Sequence, residues 1–229
     1  TDPITGRLQT VRDPQINSSD DLRAFLASNP SLAAERGLRY ASMIQKSSAA
    51  GLAAILPIVH NPGRRIEVRL RDELLTDDLR GNDIVYIGPI ARVGPLAGSF
   101  DGRSHYRFNA VESSLTDVRT GKVYLPEGEL SEHHKDYALV ARFPGPVGNT
   151  IMVITSGGRN AGLLQVIRTL TTPEGLARFD QQLQEAAGGR PPESFEALLS
   201  VTGFKQTDLA AEVVELHTLA PPVAAPPVG

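Results

Sequence analysis

The chain has 229 residues, 41% of them hydrophobic and 21% charged, with a formal net charge of -3 at pH 7 and no cysteine. That length makes one large domain or two small ones, and the composition excludes wholesale disorder. The charge excludes the strongly basic footprint of an autonomous nucleic-acid binder, and the lack of cysteine excludes disulfides, thiolate metal sites and a cysteine nucleophile.

Residues 1–17 carry no apolar period and read as a linker or the edge of a longer protein. Ser18-Ser19-Asp20-Asp21 predicts a helix start, with a hydroxyl cap and acidic residues against the positive end of the dipole. Asn29-Pro30 closes that helix. An alanine-rich stretch over 32–56 predicts a second helix, with breaks near Gly37 and Gly51 and an end at Pro57. The nearly unbroken apolar run 49–59 within it is too short to span a bilayer. After a turn at Asn61-Pro62-Gly63, the alternation over 66–70 predicts a half-buried strand, and 72–79 a short acidic helix.

Residues 84–87 are apolar on both faces and end at Gly88-Pro89, as a central strand of a parallel sheet does when both faces are covered. Shorter strands are predicted over 106–108, 114–118 and 122–125, with a turn at Arg119-Thr120-Gly121. The segments 137–143 and 150–155 flank Pro144-Gly145-Pro146-Val147-Gly148-Asn149 and predict an antiparallel hairpin. A helix over 160–170 follows, with Leu163, Leu164, Ile167 and Leu170 on one face. Thr172-Pro173-Glu174 opens another that runs to about Ala186. Residues 195–201 and 211–216 are strand candidates joined by 202–209, although Phe195, Leu198 and Leu199 match the helical period too.

Residues 220–229 hold four prolines and form a Pro/Ala tail. The expectation is a single α/β domain over 18–219. Its sheet would be mixed, mainly a central parallel sheet with an antiparallel hairpin, flanked by helices in a Rossmann-like or periplasmic-binding-like manner.

Two loops are candidate sites. In Ser156-Gly157-Gly158-Arg159-Asn160 a strand runs through glycines into a helix, which presents free amides, a positive dipole end and the Arg159 charge to an anion. The same glycines also serve any tight strand-to-helix turn. Gly157 and Gly162 mimic a phosphate loop, but Leu163-Leu164 replaces the lysine and hydroxyl that would hold β/γ-phosphates and magnesium. The second loop, Gly88 to Gly94, follows an apolar strand and carries Arg92. Ligands of open α/β sheets bind beyond the strands' carboxyl ends, so the two loops are expected to share one cleft.

No dinucleotide fingerprint, nucleophile elbow or metalloprotease motif is present. His133-His134, among carboxylates over 129–136, reads as a solvated loop rather than a metal site. No cofactor is expected. An enzyme acting on a phosphorylated or nucleotide-like substrate, with His105 or His133 as base, is one rival. A structural assembly module that pairs through edge strands or the tail is another.

The runs Asp83-Ile84-Val85-Tyr86-Ile87-Gly88-Pro89, Thr116 to Tyr124, and Asp136 through the hairpin to Gly158 carry a family resemblance. Over roughly residues 70–219 the chain resembles the carboxy-terminal α/β module that follows a winged-helix DNA-binding domain, often with a membrane span, in bacterial one-component regulators. The resemblance implies a non-enzymatic sensory or interaction domain with no catalytic residue to transfer. It also implies a membrane tether outside this chain and a periplasmic rather than cytoplasmic address. The expected partner is a small anionic ligand or a protein, a second copy of the chain included, without direct contact to nucleic acid.

Overall fold

The structure is a computed structural model that describes residues 16, 19–35, 44–100, 103–109, 112, 114–129, 131–156, 160–205 and 207–219. The chain divides into two compact units, Thr1–Met43 and Ile44–Gly229. In the first, α1 (Ser19–Ser28) has Asp20 and Asp21 in its first turn. The Asn29 side chain closes it by donating to the Phe25 carbonyl at 2.9 Å, and Pro30 opens α2 (Pro30–Glu35).

In the second unit, α3 (Lys46–Val59) runs through Gly51, where a break was expected, and past Pro57, where an end was expected; Gly37 lies outside the described residues. Pro57 lies in its last turn, and the His60 amide still reaches the Leu56 carbonyl at 3.0 Å. Gly51 serves packing: a Cβ there would stand 2.5 Å from Ile167 Cδ1 and 3.0 Å from Ile87 Cγ2. Its bare Cα lets α3 approach the helix and strand beneath it. The strand expected over 66–70 does not form. The segment stays unpaired, with Val68 more than half exposed, and Arg69 bonds Glu67 and Asp78 instead. Alternation makes a strand only where a sheet edge is available. The helix expected over 72–79 is reduced to a 3₁₀ turn at Arg71–Glu73 and α4 (Asp78–Gly81).

The remaining elements are β1 (Ile84–Pro89), α5 (Ala97–Phe100), β2 (Tyr106–Asn109), β3 (Ser114–Asp117), β4 (Val123–Tyr124), β5 (His133–Pro144), β6 (Thr150–Ser156), α6 (Asn160–Thr171), α7 (Pro173–Ala186), β7 (Phe195–Phe204) and β8 (Thr207–Thr218). Five strands form one mixed sheet in the order β1-β6-β5-β7-β8, and β2-β3-β4 form a separate antiparallel sheet. Only β1 and β6 are parallel; the other three pairings of the large sheet are antiparallel.

The α/β class and the mixed sheet therefore stand, whereas the mainly central parallel sheet is corrected to one parallel pair at an edge. Among the described residues, the Rossmann-like or periplasmic-binding-like topology has no other parallel strands to rest on. The cause is visible in β1. Ile87 packs on the helix side, while Ile84 and Tyr86 pack with Leu79, Val93 and Leu96 on the other. An edge strand covered on both faces has the same apolar signature as a central one.

The β5–β6 hairpin forms as its loop predicts, with the Gly145 amide on the Asn149 carbonyl at 2.7 Å. Thr172 caps α7 by accepting from the Gly175 amide at 3.2 Å. The segment 195–201 is strand rather than helix. Phe195, Ala197, Leu199 and Val201 face the core under α6 and α7, and Leu198 faces the opposite core with Tyr106, Leu115, Tyr124 and Leu139. Full burial of side chains of this kind contributes roughly 1.5–3 kcal/mol each. Instead of a long connection over 202–209, β7 turns directly into β8 at Lys205, whose φ is 49°. The expected loop over 129–136 is corrected too. β5 begins at His133, and His134 and Asp136 are buried.

Candidate functional site

The two expected loops begin at the same end of the parallel pair. Gly88 is in register with Thr155, and Pro89 with the buried Ser156. Gly157, Gly158 and Arg159 lie outside the described residues, and α6 begins at Asn160. After β1 the chain makes a 3₁₀ turn, Ile90–Arg92. Arg92 Nε is buried there without a hydrogen-bond partner among the described residues.

Tyr86 folds back over this end, and its hydroxyl donates to the Pro89 carbonyl at 2.8 Å. A Cβ on Gly88 would stand 2.8 Å from that hydroxyl oxygen, so the glycine has an internal reason to be there. Burial raises the Tyr86 hydroxyl above its ordinary pKa, while the charges of Arg71 and Arg92 pull it down. Both guanidinium groups are thus felt at this corner. On the helix side, a Cβ on Gly162 would meet Asp136 Cβ at 3.3 Å. The buried Asp136 carboxyl group therefore stands beside the first turn of α6, where negative charge is favoured.

A second constellation lies on the other face of the large sheet, between β7–β8 and the small sheet, and sequence reasoning missed it. Cross-strand register places Glu196 opposite His217 and Leu198 opposite Glu215. The register then shifts, because Leu199 faces Val213 and leaves Val214 unpaired. This bulge lets Val213 and Leu216 both reach the helix-side core while Glu215 and His217 face the small sheet. From the small sheet come Tyr106, Asp117 and Tyr124, with His105 just before β2 and Arg119 and Lys122 in and after the turn that follows β3.

Glu215 is the hub. It accepts from the Tyr106 hydroxyl at 2.9 Å and from the Tyr124 hydroxyl, with Lys122 Nζ and His217 Nε2 each at 3.6 Å. Burial works to raise its carboxyl, but the Tyr124 and Tyr106 hydrogen bonds and the Lys122 charge outweigh it and hold the group below the usual range. Asp117 is likewise held low: burial opposes ionisation, and the amides of Arg119 and Thr120 with the Arg119 charge overcome it.

Glu196 is the contrast. Its side chain is fully buried, Oε2 accepts the His105 amide at 2.8 Å, and Oε1 has no hydrogen-bond partner among the described residues. Burial dominates and raises its pKa, against the pull of Ser104, the His105 amide and Arg119. The His105 ring lies 4.5 Å from the His217 ring, centroid to centroid. Burial and then the neighbouring His217 and Arg119 charges lower the pKa of His105, with Asp117 opposing.

Of the two histidines weighed as bases, His105 therefore belongs to this cluster, and His133 packs its ring on Phe204 at 4.5 Å. Asp117, Glu215 and His217 each offer one donor atom within 4.8 Å of the others. The signals available in the sequence were the polar residues at strand positions 196, 215 and 217 and the tyrosines at 106 and 124. None of them forms a local motif.

No family model, curated protein or solved structure matches the chain. Among the described residues, no helix is long and apolar enough to cross a membrane.

Proposed function

We propose that the chain is a non-enzymatic sensory or interaction domain of a bacterial signalling protein, and that it binds a small anionic ligand at the shared end of β1 and β6. The observation that carries this reading is Arg92. Its Nε is buried with an unused donor, on the turn that leaves the strand end next to Ser156. A buried donor without an acceptor costs about 1–3 kcal/mol, and a carboxylate or phosphate oxygen removes that cost with a charge-assisted bond.

Arg71 adds positive potential at the same corner, and the resemblance to the sensory module of winged-helix regulators fits a ligand-reading role. The expected consequence of binding is tighter docking of the segment after β1 onto the sheet, which an upstream output domain or a second copy would read.

The test is a thermal-shift panel of inorganic phosphate and small dicarboxylates on the wild-type chain, Arg92→Ala and Arg159→Ala. Wild type should gain stability with rising concentration of at least one anion, as binding to the folded state alone requires. Arg92→Ala should lose that gain. A gain of equal size in both arginine variants would remove the proposed site.

A further inference from the structure

The cluster between the sheets is separate from the anion corner and carries its own chemistry. Two carboxylates and an imidazole come together from β3 and β8, which are distant in sequence. Carboxylate and imidazole are the ligand types favoured by zinc and other first-row divalent ions. Donor atoms around one tetrahedral zinc stand about 3.4 Å apart, so the observed spread of 4.8 Å closes with side-chain rotations of about an ångström.

A second observation points to an ion as well. Glu196, directly across the strand pair from His217, is fully buried; its Oε1 has no hydrogen-bond partner among the described residues, while its Oε2 accepts the His105 amide at 2.8 Å and stands 3.5 Å from His105 Nδ1. Buried polar atoms left without partners are uncommon, and here the Glu196 Oε1 atom borders the donor cluster.

We propose that Asp117, Glu215 and His217 bind a divalent transition-metal ion, zinc being the probe of choice, with Glu196 and His105 lining the site. Arg119 and Lys122 hold the place in the ion's absence. Arg119 Nη2 approaches the His217 ring nitrogens at 3.3 and 3.4 Å, and Lys122 Nζ lies 3.6 Å from Glu215. Their side chains are 52% and 57% exposed, so both charged ends have water to withdraw into, Lys122 giving up its place over the Tyr124 ring. Binding exchanges these two half-exposed cations for one ion that ties β3 to β8.

The test is calorimetric titration of chelator-treated protein with Zn2+ alone. One site per chain is expected. His217→Ala should weaken it by 100-fold or more while circular dichroism shows a folded protein. Should His217→Ala fail to fold, His217→Gln keeps the side chain's bulk and polarity and serves the same comparison. Arg119→Ala should tighten binding several-fold, because the competing cation is gone. The double variant His60→Ala, His133→Ala should bind as wild type does. No saturable binding to the wild type, equal affinity in the His217 variants, no gain in Arg119→Ala, or loss in the double variant would each overturn the proposal.

Discussion

The corner at the end of β1 and β6 and the cluster between the two sheets are both polar and both partly buried, yet they are built in opposite ways. The corner is made by neighbours in sequence: β1 runs into Arg92 within a few residues, and β6 runs into α6 across residues 157–159. The cluster is assembled across the chain, with Tyr106 bonding Glu215 over 109 positions and His105 bonding Glu196 over 91. In the corner a donor is left spare, whereas around Glu215 the donors are used. The first arrangement suits a diffusing ligand, and the second ties distant parts of the fold together.

The largest effect separating the two regions is expected at the hub. Glu215→Ala leaves two tyrosine hydroxyls and the Lys122 ammonium without their shared acceptor. Hydrogen bonds to a charged group are worth roughly 1.5–3 kcal/mol each, so the loss should be about 3 kcal/mol in chemical denaturation. Tyr106→Phe should cost less, since one of the two bonds remains. Equal stability of Glu215→Ala and wild type would mean that the cluster does not hold the small sheet in place.

A smaller loss is expected in the corner. In Gly88→Ala the new methyl meets the Tyr86 hydroxyl oxygen at 2.8 Å and ring carbon Cζ at 3.0 Å. The ring must turn and give up its bond to Pro89, at a cost of about 1–2 kcal/mol. The change in tyrosine fluorescence with pH offers a second readout, because burial is what holds the Tyr86 hydroxyl high.

These two regions also explain what could be read from sequence. Turn chemistry is local, so the β5–β6 hairpin, the α7 cap and the strand that ends at Gly88 were legible. The expectation of a central parallel sheet failed because coverage by α3 and by the 74–96 segment imitates a central position in β1. The 66–70 strand failed because alternation says nothing of whether a partner strand exists. The cluster was invisible for a third reason. The bulge at Val214 puts Glu215 and His217 out of phase with the β8 residues before it, and no local pattern links the two to Glu196 on the neighbouring strand. Residues 129–136 looked solvated because their polar side chains include His134 and Asp136, which the sheet buries.

Glu196 sharpens the comparison through pH. Burial raises its folded pKa above the unfolded value, so the neutral acid is the form that folding favours. Its stabilising contribution is complete below the unfolded pKa and is lost as pH rises through the folded one. Asp117 and Glu215 run the other way: their lowered values give stability that is present above the unfolded pKa and lost on acidification. Glu196→Gln isolates the first effect, because the other two groups are common to both proteins. The variant should be the more stable at pH 8, and the difference should shrink towards zero near pH 4. A constant difference across that range would show that Glu196 does not change charge on its own.

The smallest effect on stability, and the clearest on function, is expected at Arg92. Its Nε donates no hydrogen bond among the described residues, so truncation removes a buried donor that already lacks an acceptor. The loss of packing by the side-chain stem and the relief of that donor act in opposite directions, and Arg92→Ala should stay within about 0.5 kcal/mol of wild type. Arg119→Ala, a cation of the other region, should remove its approach to His217 and lower the melting temperature without touching anion binding. The two variants together form a cross. If Arg92→Ala loses the anion-dependent gain and keeps the melting temperature, while Arg119→Ala does the reverse, the corner and the cluster are separate devices. If both variants lose both properties, the positive charges act as one field over the whole second unit, and neither region can be called a site by itself.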